Sequence, residues 1–369
     1  MGENFERYQR QLLLKGFGEA GQQKLQDAKV LVIGAGGLGC PALQYLTAAG
    51  VGTIGIVDDD IVSLDNLHRQ ILYTTNDIGS SKVVMAAFAL EQLNFDIDII
   101  PYNTRLTNQN AIEIIIPYDI VIDGTDNFAT RYLINDACVL LNKTLVYGGI
   151  SQFEGQVAIF NHGENKVNYR DLFSSPDNTI LNCEEAGVLG VLPGIIGAML
   201  ANETIKLITG IGTPVINTLL TYNALTNQSH QFTISSRPET NSFIPKDEDA
   251  FAAMDYEFFC STKKTTSFNI KPTEFGNLLT DANTQIIDVR EKGELPLING
   301  FKNINIPLAQ LPQSFDDLTN EVIVIFCQTG RRSAQAAQQL FDHFGTTKKI
   351  YSLNGGIVNW KKHHAENVG

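Results

Sequence analysis

The sequence predicts an α/β protein of two domains, the first built on a mostly parallel sheet and the second a smaller α/β unit. Three observations carry that expectation. The apolar run Val30-Leu31-Val32-Ile33 reads as a buried parallel strand and enters a turn with glycines at Gly34, Gly36 and Gly39. A second such run, Val322 to Phe326, ends at Cys327 near the other end of the chain. A length of 369 residues with 43% apolar content suits two cores better than one.

Bulk properties narrow the function classes. A net charge of −13 argues against nucleic acid or an anionic membrane as partner. The opening residues lack the basic-then-apolar pattern of a secretory signal. The longest apolar region, Ala186 to Leu200, is broken by Gly190, Pro193, Gly194 and Gly197, and falls short of the roughly 20 residues a membrane span needs. The five cysteines (Cys40, Cys138, Cys183, Cys260, Cys327) are an odd number without paired spacing. A disulfide framework is not expected, and a soluble, cytoplasmic protein is.

Taken in order, Phe5 to Gln26 reads as one or two helices, with Arg7 and Arg10 on one face. The glycines after Val30–Ile33 follow the G-x-G-x-x-G spacing, which permits a tight turn and lets backbone N–H groups approach a phosphate. Pro41 suits the first turn of the next helix and Gly50 its end. A strand from Thr53 to Val57 then delivers Asp58, placed to bind a ribose hydroxyl. Ser80 or Ser81 reads as the N-cap of a helix beginning at Lys82. A lysine in a first turn opposes the helix dipole, a cost removed if a phosphate binds there. Asp119 to Asp123 reads as another buried strand, with Asp126 just beyond its C-terminal end. Open α/β sheets bind ligands at that edge, although Asp126 could also serve as a helix N-cap.

After Tyr147-Gly148-Gly149 the pattern turns antiparallel, so the first sheet should be mixed. The polar stretch His162 to Asn182 reads as a mobile loop, and Pro193 opens a long helix ending at Gly210. Residues 241–267 have linker composition, although Met254 to Cys260 could dock on a domain.

The glycine turn and Asp58 alone would fit any nucleotide. Asn66, Arg69, Gln70 and Lys82, with Asp126, shift the balance: cations plus a magnesium-type carboxylate suit a triphosphate being broken, not a dinucleotide being held. These residues resemble the ubiquitin-activating-type adenylyltransferases, in the bacterial branch that activates sulfur-carrier proteins for molybdopterin or thiamin synthesis. The resemblance implies a Rossmann-like ATP-binding domain over residues 1–240, using ATP and Mg2+. It implies Gly34, Gly36, Gly37, Gly39, Asp58, Asn66, Arg69, Gln70 and Lys82 around the nucleotide, with Asp126 holding magnesium. It also implies a homodimer in which Arg10 reaches the ATP site of the second subunit.

Cys183 matches a cysteine that some members use covalently, but it reads equally as an unreactive thiol near a loop end. Many relatives carry zinc on two C-x-x-C pairs. Here the first pair is replaced by Asn168 and Asp171, and Glu239-Thr240-Asn241-Ser242 stands where the second would fall, so no zinc is expected.

From 268 to 369 the chain resembles a rhodanese. The resemblance rests on Asp288-Val289-Arg290-Glu291, on Cys327-Gln328-Thr329-Gly330-Arg331-Arg332-Ser333, and on the Gly355-Gly356 pair four residues before Trp360. A cysteine between strand and helix faces backbone N–H groups, and Arg331 and Arg332 add positive charge. Both stabilise a thiolate or persulfide anion. The related C-x5-R phosphatase loop is excluded, because Ser333 stands sixth after Cys327.

Together the halves imply ATP-dependent adenylation of the C-terminal glycine of a small ubiquitin-like sulfur carrier ending in Gly-Gly. Sulfur transfer from a Cys327 persulfide then yields a thiocarboxylate, with molybdopterin synthesis as the first choice. The persulfide donor would be a cysteine desulfurase or thiosulfate. Thiamin or another carrier pathway, a carrier-binding scaffold without turnover, and an NAD-dependent oxidoreductase are the alternatives.

Overall fold

A computed structural model describes residues 3–174, 187–256, 268–279, 281, 283–295, 298 and 300–366. The chain forms two compact units, Met1–Ser261 and Thr262–Gly369.

The first unit contains, in order, α1 (Gln9–Leu12), α2 (Gly18–Asp27), β1 (Lys29–Ile33), α3 (Gly39–Ala49), β2 (Thr53–Asp58), α4 (Lys82–Leu93), β3 (Asp98–Asn103), α5 (Ala111–Ile115), β4 (Ile120–Asp123) and α6 (Phe128–Leu140). These are followed by β5 (Thr144–Ser151), β6 (Glu154–Phe160), α7 (Tyr169–Leu172), α8 (Leu192–Thr209), β7 (Thr218–Asn223), β8 (Gln228–Thr233) and α9 (Glu248–Ala253). The sheet order is β3-β2-β1-β4-β5-β6-β7-β8. Strands β1 to β5 pair in parallel and β5 to β8 antiparallel, so the expected mixed sheet is present.

Both faces are covered, as the unbroken apolar runs require. Val30 and Val32 of β1 join a core with Leu43, Val83 and Leu200. Leu31 and Ile33 point to the opposite core, with Tyr118, Tyr132 and Phe160. Gly50 closes α3 at φ 84°, and a Cβ there would stand 2.5 Å from the Tyr8 ring. The helix expected to open at Pro193 is α8, with the proline in its first turn and Gly210 as its left-handed cap.

Two expectations need correction. The described part of the 241–267 stretch is not a linker. Residues 238–243 form a 3-10 turn, α9 follows, and Phe251 lies in a core with residues of α6, as does Tyr256, within the stretch expected to be able to dock on a domain. Nor is the described part of 162–182 a loose loop. It contains α7, whose Arg170 is fully buried and pairs with Asp136 of α6 at 2.7 and 2.8 Å. Tyr256 donates to the same Asp136 at 2.9 Å, so one buried ion pair holds both segments. Composition reports solvent preference and misses such pairing.

The second unit comprises β9 (Asn269–Ile270), α10 (Pro272–Leu278), β10 (Thr284–Asp288), β11 (Ile304–Asn305), β12 (Val322–Phe326), α11 (Arg331–Phe344), β13 (Lys349–Leu353) and α12 (Gly356–Glu366). Its sheet is parallel throughout, in the order β11-β10-β12-β13-β9. Side chains from the two faces of β12 enter separate cores: Ile323 and Ile325 one, Val324 and Phe326 the other.

Candidate active site

The first sheet reverses its strand order at β1, with β2 and β3 on one side and β4 onward on the other. A crevice opens outside the strand ends at such a point. It is a cavity of about 340 Å³ lined by Gly34, Gly36, Gly37, Asp58, Asp59, Asp60, Arg69, Gln70, Lys82, Arg105, Thr125 and Asp126, among others. Segments distant in sequence are thereby gathered around one space.

The glycine turn is shaped by contacts no side chain would allow. Gly34 has φ 93°, and its N–H donates to Val57 at 2.8 Å. A Cβ on Gly39 would fall 1.9 Å from the Gly34 carbonyl oxygen, so the helix start can approach the strand only as glycine. Asp58 ties β2 to this turn: one carboxylate oxygen accepts from the Ala35 N–H at 2.7 Å, the other from the Asp60 N–H at 2.9 Å. Burial raises its carboxyl above the ordinary range, against the pull of Lys82.

Lys82 is buried at the start of α4, and its ammonium lies 2.8 Å from the Asp60 carboxylate. In this structure a carboxylate therefore offsets the unfavourable dipole contact that the sequence assigned to a phosphate. Ser81 occupies the N-cap position without a side-chain cap; its hydroxyl donates to Asn103 instead. Arg69 donates to the Asp65 carbonyl at 2.9 Å while lining the cavity. Gln70 is buried, and its Oε1 has no partner, leaving an acceptor for a ligand donor to satisfy. The α6 cap is Asn127, which accepts from the Thr130 N–H at 2.8 Å. Asp126 is therefore not the cap, and its exposed carboxylate stays on the cavity rim.

Asn66 is not among the lining residues; its carbonyl accepts from the N–H groups of Arg69 and Gln70 and shapes the turn that presents them. Arg10 is exposed beside a separate surface cavity with Tyr8, Tyr45 and Ile205. The sequence reading missed Asp59 and Asp60. Their signal was the triple Asp58-Asp59-Asp60 at the end of β2, whose ligand atoms lie within 4.8 Å of one another. These carboxylates, and that of Asp126 on the same cavity, are hard oxygen donors of the type magnesium takes. Cys183 and Cys260 lie outside the described residues. Cys40 and Cys138 are buried, and burial pushes the Cys40 thiol up to about 12 and raises that of Cys138 further.

At the positions corresponding to the two C-x-x-C pairs, the residues present are not the soft ligands zinc takes. Asp171 is buried and saturated. One oxygen accepts from the Asn168 backbone N–H and side-chain amide at 2.8 and 2.9 Å. The other accepts from the Arg237 N–H at 2.8 Å and the Thr240 hydroxyl at 2.9 Å. This clasp joins the two segments without a soft ligand.

In the second unit, Cys327 is fully buried between β12 and α11. Its Sγ receives the Gly330 N–H at 3.2 Å and lies 3.7 Å from the Ser333 Oγ, which donates to the Gly330 carbonyl. Gly330 has φ 93°, and a Cβ there would press on the Gly355 N–H at 2.9 Å. A Cβ on Gly356 would meet the Cys327 carbonyl at 2.5 Å. The distant glycine pair is thus a seat for the cysteine loop. Gln328 accepts from Arg290 at 3.3 Å, and Arg290 grips Asp288 with Nε and Nη2. Arg331 is exposed and Thr329 completes the turn. Arg332 is not simply added charge: it is bound to Glu294 through two bonds of 2.7 and 2.6 Å.

Comparison with known proteins follows the same division. A model of the ThiF family matches residues 8–243, and a model of the rhodanese-like domain matches residues 271–363. A sulfur carrier protein adenylyltransferase of Thermus thermophilus is 47% identical over 71% of this chain and 98% of its own. A probable adenylyltransferase/sulfurtransferase of Mycobacterium tuberculosis, MoeZ, is 39% identical over 98% of this chain and 93% of its own. The crystal structure of E. coli MccB with ATP shares the fold, at TM-score 0.54 and 20% identity over 59% of this chain and 67% of that one. Among the described residues, no helix is long and apolar enough to cross a membrane.

Proposed function

This chain belongs to the ThiF family and continues into a rhodanese-like domain, and from that premise we propose how its two units work in sequence. It is an adenylyltransferase and sulfurtransferase that activates a small sulfur-carrier protein with ATP. The observation that carries the site assignment is the meeting of Arg69, Lys82, Gln70 and Asp126 with the glycine turn around one cavity.

In the first step the carrier's C-terminal glycine carboxylate attacks the α-phosphate of ATP and pyrophosphate leaves. Two anions must approach. Arg69 and Lys82 neutralise the charge that gathers on the phosphates, and Arg10 of a second subunit adds to them. The glycine-turn N–H groups and Gln70 position the nucleotide, and Asp58 holds the ribose. Asp126 would hold magnesium, which supplies further charge neutralisation when bound.

In the second step the terminal sulfur of a Cys327 persulfide attacks the acyl adenylate and AMP leaves with the bonding electron pair. A thiol co-substrate then attacks the Cys327 sulfur, the thiocarboxylate leaves with the electrons of the broken S–S bond, and a second thiol frees Cys327 from the mixed disulfide. The Gly330 N–H and the start of α11 stabilise sulfur anions at Cys327. The homodimer, the identity of the carrier as that of molybdopterin synthesis, and a protein persulfide as donor are parts of the same proposal.

ATP–pyrophosphate exchange tests it directly. Exchange should require a small carrier ending in Gly-Gly and vanish when that carrier lacks its last glycine. Carrier-independent exchange, or none with any such carrier, would overturn the assignment.

A further inference from the structure

We propose that Glu294 selects the sulfur donor of the second unit, admitting persulfides and disfavouring thiosulfate. The inference rests on reading that unit as a sulfurtransferase working through Cys327. Arg332 lies in the first turn of α11, whose N-cap residue Gly330 donates its N–H to the Cys327 sulfur at 3.2 Å. A guanidinium beside a nucleophilic sulfur is a ready fork for an oxyanion, since two parallel N–H groups match two oxygens. Here both arms are occupied by the Glu294 carboxylate at 2.7 and 2.6 Å. The pair is about one-third open to solvent on the arginine side and one-quarter on the glutamate side (34% and 26%), so incoming donors meet it.

Glu294 is held in place for this contact. Its N–H donates to the Glu291 carbonyl at 3.1 Å, and its carboxylate also accepts the Glu291 N–H at 3.3 Å. The Arg332 contact keeps its carboxyl below the ordinary range, so it is charged at neutral pH.

Thiosulfate must present its sulfane sulfur to Cys327 while its three sulfonate oxygens find donors. At Arg332 those oxygens meet a carboxylate that repels them and has taken the fork. A persulfide R–S–SH carries its terminal sulfur on a narrow stem and needs no such fork. Both loading steps balance. The Cys327 thiolate attacks the terminal sulfur, one S–S bond forms and one breaks, and sulfite or the thiolate RS⁻ leaves with the electron pair.

The test uses the full-length protein and follows persulfide formation on Cys327 by intact-protein mass spectrometry, with thiosulfate or glutathione persulfide at equal concentration. The wild type should load from glutathione persulfide about ten-fold faster or more, as one misplaced like charge predicts. Glu294→Gln should raise the thiosulfate rate by about ten-fold and move the glutathione persulfide rate less than about two-fold. Equal loading of the wild type from both donors would overturn the inference without recourse to any variant, as would an unchanged thiosulfate rate in a folded Glu294→Gln protein. Loading from neither donor would overturn the sulfurtransferase reading itself, and this inference with it.

Discussion

The Lys82 ammonium sits 2.8 Å from the Asp60 carboxylate, with the lysine side chain 5% exposed and the aspartate 67%. A buried cation is thus matched by a solvated anion, whose attraction is weakened by water. Such a contact can yield to a phosphate without leaving the ammonium uncompensated. Lys82→Met should therefore lower ATP–pyrophosphate exchange by about 10²- to 10³-fold, the usual loss for one positioned charge stabiliser. Exchange at wild-type rate in the folded variant would remove Lys82 from the phosphate site.

Division of labour gives the next expectation. Asp126→Ala should lower adenylation by about 100-fold or more, as expected for loss of a charge-organising group, and leave sulfur loading of Cys327 unchanged. Cys327→Ala should do the reverse, retaining pyrophosphate exchange while losing thiocarboxylate formation. Both activities lost together in either folded variant would contradict separate sites.

The Asp171 clasp makes a metal-independent prediction. Its carboxylate accepts four hydrogen bonds, two from Asn168 of its own segment and two from Arg237 and Thr240, which lie 66 and 69 residues away. Asp171→Ala should destabilise the first unit by about 3 kcal/mol, the cost of stranding several buried donors. Chelator should leave the unfolding transition of the wild type in place. A midpoint that falls on adding EDTA would mean that metal, not hydrogen bonding, joins these segments.

Asp123 supplies a pH test of stability. It is fully buried, and burial raises its carboxyl above the ordinary range, against Arg131 and the Thr125 donors. The folded chain then keeps a proton that the unfolded chain has released. Stability attributable to this group is full below the unfolded value, falls as pH rises toward the folded value, and is constant above it. Asp123→Asn should remove that dependence, so its stability relative to wild type should rise with pH in the weakly acidic range and then level off. Urea unfolding of the first unit at a series of pH values measures this, and a difference flat with pH would refute it.

Much of the cavity's lining was legible because its parts are short, contiguous motifs. Gly34 to Gly39 is recognised by spacing, since a Cβ at Gly39 is sterically impossible. Arg69 and Gln70 are neighbours in one turn, and Cys327 to Ser333 is one loop. The same local view did not show the carboxylate that Lys82 faces, Asp60, which stands 22 residues earlier. It also missed the tie of Asp58 to the glycine turn, which forms only once β1 and β2 lie side by side.

The amino-acid order alone determined the two α/β units, the strand–turn–helix signatures of each site and the residue types available for chemistry. Such features depend on periodicity and sterics within a few residues. Tertiary structure alone decided which charges face one another. The Asp136–Arg170 and Asp136–Tyr256 contacts turn apparent linker and loop into core, and the Glu294–Arg332 pair fills a guanidinium fork. These partners lie 34, 120 and 38 residues apart. Their meeting is set by how sheets stack their helices, which no local pattern encodes.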